Sequence, residues 1–239
     1  MTLLSTKSKI LVGFVVVFGI GILLQVPLTW EHPAYARFTG TFLVALFAAR
    51  LKVSLPRITG SMSVNLPFIL LALSELSLAE ALLITAASTF VQCHWSESGQ
   101  QTSIKTMFNL SVTLMAAYAA WLTMQVTAPN SGLGLALGAL AYLLVNTVPV
   151  AAIIALTESG HLVRTWKQIL QLTFPYFVLA AGVAGLAKLA THAFDWYIPL
   201  LILPLMFLVQ RSFRLYFQTL RDTAGSQPPY AMAAGAGRS

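Results

Sequence analysis

Four carboxamides and one serine stand out in this sequence because each lies among apolar residues. They are Ser61, Asn65, Gln92, Asn109 and Asn146. A carboxamide offers both hydrogen-bond donors and acceptors, so several around one space would suit a neutral or zwitterionic small molecule. The same groups would equally join neighbouring helices. The sequence therefore predicts that all five side chains face the interior of one bundle, either as a ligand pocket or as a clamp.

Soluble catalytic chemistry is not indicated. The sequence has no GxxxxGK[ST] loop, no GxSxG elbow and no HExxH pair, and its single cysteine excludes a CxxC site. The four histidines fall at predicted helix ends: His32, His94, His161 and His192. We therefore expect no enzymatic activity, no catalytic residue, no metal site and no cofactor.

The composition indicates that the polar residues sit in a membrane protein. Of 239 residues, 57% are hydrophobic and 9% are charged, with a mean hydropathy of +0.78. Soluble domains have about a quarter of their residues charged, so these charges are too few to cover a soluble globule. The expected fold is an all-α polytopic helical bundle, because backbone groups in a bilayer must bond within their own segment.

Apolar runs predict eight transmembrane helices, at 10–29, 34–50, 61–75, 77–94, 106–126, 133–157, 170–190 and 196–212. The chain then divides into a cytoplasmic N-terminus (1–9), a membrane bundle (10–212) and a largely flexible cytoplasmic tail (213–239). Gly134 and Gly138 form a small-residue step that predicts close helix packing within the bundle. The third and fourth helices are separated only by "ELSL", so a re-entrant pair is the alternative there.

The cations support a topology with both termini in the cytoplasm of a bacterial inner membrane. Eight crossings leave only Arg37 and Lys188 of the fourteen cations outside, as the positive-inside rule expects. Binding of the cations to anionic lipid accounts for the formal charge of +7, so we expect the bilayer and no nucleic acid as a partner. This topology places Asn65, Gln92 and Asn109 at a similar depth in the cytoplasmic half, and Asn146 nearer the middle.

The segment before the third helix is unusually polar. "LPRITGSMSVN" supplies a Pro-Gly break, followed by serine hydroxyls and free backbone donors at the start of a helix over 61–75, on which Ser61 and Asn65 share one face. The positive end of the helix dipole would accept an anion or a carbonyl oxygen. The same stretch would alternatively serve as a loop that covers the bundle.

The sequence also resembles a known kind of membrane region. "LKVSLPRITGSMSVNLPFILLALSELSLAEALLITAASTFVQCHW", "FNLS" and "LVNTVPVAAIIALTES" with a following "W" are similar to the N-terminal membrane region found ahead of GGDEF and HD-type cyclic-dinucleotide signalling domains in some bacteria. The likeness covers 34–177 and implies a sensory or signal-input module. It assigns no binding residues.

The chain departs from that pattern because no GGDEF-like or HD-type module follows the eighth predicted helix. We therefore expect a sensory module that binds a small ligand and acts through a separate partner protein. Two alternatives remain from the sequence: the substrate-binding subunit of a small-molecule importer, and a structural membrane subunit.

Overall fold

A computed structural model describes residues 6–28, 35–54, 61–94, 103–129, 131–158, 160–194 and 197–225 of the chain. Within these ranges the fold is helical apart from one small hairpin. Its helices are α1 (Thr6–Leu23), α2 (Tyr35–Arg50), α3 (Leu66–Glu75), α4 (Leu78–His94), α5 (Ser103–Thr127), α6 (Gly132–Thr157), α7 (Leu162–Phe194) and α8 (Ile198–Gly225). A 3-10 turn, Val26–Leu28, follows α1, and strands β1 (Lys52–Ser54) and β2 (Ser61–Ser63) pair antiparallel.

Five helical segments are long and apolar enough to cross a membrane. They are Thr6–Leu28, Ser103–Thr127, Gly132–Thr157, Leu162–Thr191 and Ile198–Thr219. The helices α2 and α4 have 16 and 17 residues, and α3 has only 10. The structure thus confirms a helical protein with several membrane-length helices. Its helix α8 runs to Gly225, beyond residue 212 where the predicted eighth span ends.

The predicted helix over 61–75 was wrong in its first five residues. Ser61–Ser63 form a β-strand and Asn65 is the N-cap of α3, so Ser61 and Asn65 do not share a helix face. Strand β2 returns along β1 with Lys52 opposite Ser63, and Val64 N donates to Leu51 O at 3.2 Å. The backbone groups before Asn65 are therefore satisfied by a hairpin rather than by a helical turn.

Helix α3 forms the centre of the molecule. Pro67 lies in its first turn, where a missing N–H costs nothing, and Asn65 O accepts from Phe68 N and Ile69 N. Every residue from Leu66 to Leu73 is buried, so α3 is apolar on all faces and surrounded by protein. Because of this complete burial, α3 is part of the main hydrophobic core although it is short.

The two ends of α3 are fixed against α7, and the two helices run in the same direction. At the start of α3, Leu66 N donates to the hydroxyl of Tyr176 at 3.3 Å. At its end, Glu75 Oε1 lies 3.9 Å from Lys188 Nζ. Tyr176 and Lys188 are both residues of α7. One helix therefore positions both termini of α3.

Small residues bring the long helices together. A Cβ added at Gly138 would lie 2.6 Å from Met124 Cε and 3.0 Å from Ala120 O of α5. One added at Gly134 would collide with Ala128 O. The step from Gly134 to Gly138 thus allows α5 and α6 to approach closely within one chain, which confirms the packing role predicted for it.

Candidate functional site

A group of hydrogen-bonded side chains surrounds the point where the hairpin ends and α3 begins. Ser63, Asn65, Ser88 and Gln92 compose it, and we call these four residues the break network. Ser63 Oγ lies 2.6 Å from Asn65 Oδ1 and 2.9 Å from Gln92 Oε1. Asn65 Nδ2 donates to Ser88 Oγ at 3.1 Å, and Ser88 Oγ donates to Thr85 O at 3.2 Å. The network therefore joins β2 and the N-cap of α3 to one face of α4.

The single proton of the Ser63 hydroxyl limits how the network can be bonded. The Ser63 hydroxyl has one proton, so it cannot donate to both carboxamide oxygens at once. All groups are satisfied when Ser63 donates to Asn65 Oδ1 and the Gln92 amide is turned over, so that Nε2 donates to Ser63 Oγ. In that arrangement the donors run from Gln92 through Ser63, Asn65 and Ser88 to the backbone of α4. The Gln92 oxygen is then left as an acceptor at the accessible end of the chain.

Burial separates the four members of the network. Ser63, Asn65 and Ser88 are buried, with Asn65 only 6% exposed, whereas Gln92 is half-buried. Two cavities of about 20 Å³ each lie at the opposite end of α3, beside Glu75 and Lys188. Each has room for about one water molecule. Direct hydrogen bonds therefore join the members of the break network in the described conformation, and Gln92 is its partly exposed member.

Asn109 is a residue of α5 and contacts a different face of α4 from the one that carries Ser88 and Gln92. Its Nδ2 is 3.8 Å from the buried Cys93 Sγ, a weak contact between α5 and α4. One turn away, Thr89 Oγ1 and Thr113 Oγ1 are 3.1 Å apart, and Thr113 also donates to carbonyls of its own helix. This second seam joins α4 to α5, while the break network joins α4 to α3. The sequence had predicted that Asn65, Gln92 and Asn109 lie at one depth, but it did not show that they contact two different faces of α4.

Two of the predicted residues remain, Asn146 and Ser61. Asn146 is half-buried on α6, and no side-chain hydrogen bond to it is found among the described residues. Its neighbour Thr147 accepts instead from Trp166 Nε1 of α7 at 3.1 Å. Ser61 lies in β2 opposite Ser54, and its side chain is outside the described set. Of the five predicted residues, Asn65 and Gln92 are thus the two that belong to the same hydrogen-bonded group.

Two residues that the sequence reading missed connect the hairpin and the break network to α8. Gln210 Nε2 donates to Lys52 O of β1 at 3.0 Å. Tyr176, which accepts from Leu66 N, packs edge-on against Phe213 with ring centroids 6.2 Å apart. Gln210 follows the apolar run "LPLMFLV". A polar residue directly after such a run could have indicated a buried hydrogen bond. Tyr176 carried no such signal, because an aromatic residue is ordinary in an apolar helix.

The chemistry open to this arrangement is hydrogen bonding. In the described ranges, no group of three or more His, Cys, Asp or Glu side chains is placed to hold a metal ion. The break network supplies hydroxyls and carboxamides, which recognise polar neutral groups by direction rather than by charge. No protein-family model, no curated protein and no solved structure matches this chain.

Proposed function

We propose that the chain is a sensory or signal-input module of the bacterial inner membrane. In this proposal a small polar ligand acts on the break network, and α8 passes the change to a separate partner protein at the cytoplasmic side. Both termini are cytoplasmic, and the chain crosses the membrane eight times. The third crossing is discontinuous, with the hairpin in its cytoplasmic half and α3 in its outer half.

Distances along α7 support this placement. Lys167 and Lys188 are 21 residues apart, about 31 Å of helix, which matches the roughly 30 Å of hydrocarbon in a bilayer. Tyr176 is nine residues from Lys167, so the start of α3 lies about 14 Å above the inner boundary, near the midplane. The pair of Glu75 with Lys188 then lies at the outer boundary. Non-helical backbone at such depth is tolerated only where protein buries it, and the hairpin is bonded to α8.

The observation that carries the proposal is the pair of contacts between this discontinuity and α8. Gln210 holds the carbonyl of Lys52 just before the break, and Phe213 packs on the Tyr176 ring that holds Leu66 N just after it. The same helix continues to Gly225 with Arg211, Arg214, Leu215 and Tyr216 exposed. A change in the hairpin is therefore transmitted to the one helix that extends to the cytoplasmic tail.

A labelling experiment tests this coupling. In a Cys93→Ala background, Thr219→Cys places a single thiol at an exposed position of α8. We expect Ser63→Ala and Gln210→Leu each to change the maleimide reaction rate of that thiol about fivefold or more, the range of ordinary allosteric coupling. Asn109→Leu, on α5 at its contact with Cys93 of α4, is the matched control and should leave the rate unchanged. Equal rates in all four proteins would contradict the coupling.

The importer subunit remains the second candidate because discontinuous crossings with polar groups near the midplane also occur in transporters. The two functions differ in their need for α8. A sensor loses its signal in Gln210→Leu even when the folded protein is present in the membrane, whereas an importer subunit needs the break network but not this link. Complementation of a deletion strain by Gln210→Leu, together with failure of Asn65→Leu to complement, would favour the importer.

A further inference from the structure

One of the two cavities beside Glu75 lies where the end of α3 meets the start of α8. Its volume is about 20 Å³, and residues of α2, α3, α7 and α8 surround it. The lining includes two charged side chains, two hydroxyls and the first residues of α8: Arg37, Thr41, Glu75, Thr191, Ile198 and Pro199. None of them belongs to the break network, so binding at this cavity does not depend on the function proposed above.

Thr41 is the residue that marks this cavity as a binding site. Its side chain is only 5% exposed, yet no hydrogen bond to its hydroxyl is found among the described residues. The buried threonines at 85, 147 and 173 each donate instead to the carbonyl four residues earlier in their own helix. A buried hydroxyl without a partner is costly. We therefore expect a group inside the cavity to bond to Thr41.

The charges around the cavity favour an anion. Glu75 is the one carboxylate among its described lining residues, and Lys188 offsets that charge because its Nζ lies 3.9 Å from Glu75 Oε1. Arg37 then adds a further positive charge to the lining. A guanidinium has five N–H donors, so Arg37 can serve more than one partner at once.

The ends of the two helices act in the same direction. Ile198 begins α8, and the N-terminus of a helix carries a partial positive charge. The C-terminal end of α3 has the opposite sign, but two of its last carbonyls are engaged. Leu71 O accepts from Ser74 Oγ at 3.0 Å, and Ala72 O accepts from Leu76 N at 2.9 Å. The start of α8 thus adds to the attraction that Arg37 exerts on an anion.

We propose that this cavity binds one chloride ion between the Arg37 guanidinium, the Thr41 hydroxyl and the start of α8. The volume has room for about one water molecule, and chloride is only slightly larger. Phosphate and sulfate are too large for it. In the topology proposed above, the site faces the outside of the cell. An external anion therefore contacts the first turn of the helix whose other end reaches the cytoplasm.

The test uses the full chain in lipid nanodiscs. Thermal unfolding is measured while sodium gluconate is replaced by NaCl at constant ionic strength, because gluconate is too large for the cavity. Chloride at 100 times its Kd should lower the unfolding equilibrium constant about 100-fold. Retention of ³⁶Cl⁻ by the unaltered chain measures binding directly and does not depend on the folding of any variant.

Thr41→Val is the decisive variant, because valine has nearly the same shape and lacks the hydroxyl. We expect it to raise the Kd for chloride about tenfold or more, since it removes a hydrogen bond to a charged group. Thr39→Val is the matched control, because Thr39 is an exposed residue of the same helix and is not part of the cavity lining. Its Kd should equal that of the unaltered chain.

Two results would overturn the site. If no ³⁶Cl⁻ is retained and stability is equal in the two salts, the cavity holds water only. If Thr41→Val binds chloride as tightly as Thr39→Val does, the anion lies elsewhere on the protein.

Discussion

Asn65 is the residue through which the hairpin, α3 and α4 meet. Its oxygen accepts from Ser63, its amide nitrogen donates to Ser88, and its backbone oxygen accepts from the first turn of α3. A side chain with both a donor and an acceptor is needed at this position, because Ser63 approaches as a donor and Ser88 as an acceptor. Aspartate would supply only acceptors when ionised, so the chemistry of the site selects a carboxamide.

Replacing Asn65 by leucine should destabilise the protein. The substitution removes two side-chain hydrogen bonds and leaves the buried Ser63 and Ser88 hydroxyls short of partners, at a cost of about 1–3 kcal/mol. Thermal unfolding of the detergent-solubilised variant measures this cost.

Asn109→Leu is the matched control for that experiment. It loses only the weak 3.8 Å contact with Cys93 Sγ, so its cost should be below about 1 kcal/mol. A larger loss for Asn109→Leu than for Asn65→Leu would reverse the ranking of the two seams of α4.

At the scale of elements, one small residue allows α1 to approach α5 closely. A Cβ built on Gly19 would lie 2.6 Å from Ser111 Cα of α5, which is backbone and cannot move aside alone. Gly13, two turns earlier on the same helix, has nothing within 4 Å of its added Cβ. The two glycines therefore differ in what they do, although the sequence of α1 presents them alike.

Gly19→Ala should destabilise the protein by about 1–3 kcal/mol, because the added methyl overpacks the contact between α1 and α5. Gly13→Ala should instead stabilise it by about 0.5–1 kcal/mol, since alanine is the better helix former. Paired thermal melts in one detergent measure both changes. Destabilisation of similar size by both substitutions would show that α1 does not pack on α5 through Gly19.

The elements most easily predicted from the sequence were the long apolar ones. A run of some twenty apolar residues forms a helix in a membrane, so helices were predicted at 106–126 and 133–157, close to the observed α5 and α6. Helix α7 was predicted at 170–190 and extends beyond those bounds at both ends. The hairpin was not predictable, because Ser61 to Ser63 fit a helix as well as a strand until the downstream partners of the segment are known. Periodicity likewise placed Gln92 and Asn109 at one depth. It could not show that Gln92 of α4 bonds to the hairpin, whereas Asn109 of α5 contacts Cys93 on a different face of α4.

At the scale of the whole molecule, the predicted eight-span topology places most of the cations on the cytoplasmic side, which leads to a topology test. In a Cys93→Ala background, a cysteine at Pro129, between α5 and α6, should react with a membrane-impermeant thiol reagent in intact cells. One at His161, between α6 and α7, should react only after the membrane is opened. Both positions are exposed, so accessibility of the side chain does not limit either reaction. Labelling of His161→Cys from outside would contradict the proposed orientation.

The partners of the broken segment also set an order for biogenesis. Lys52 O is bonded by Gln210, 158 residues further along the chain, and Leu66 N is bonded to Tyr176, 110 residues further along. During synthesis, the hairpin and α3 are therefore made long before the groups that satisfy them. At 10 residues, α3 is also about half the length that a translocon accepts as an independent membrane segment. The nascent chain must hold this region in a provisional state until α7 and α8 are made, so the centre of the protein is completed last.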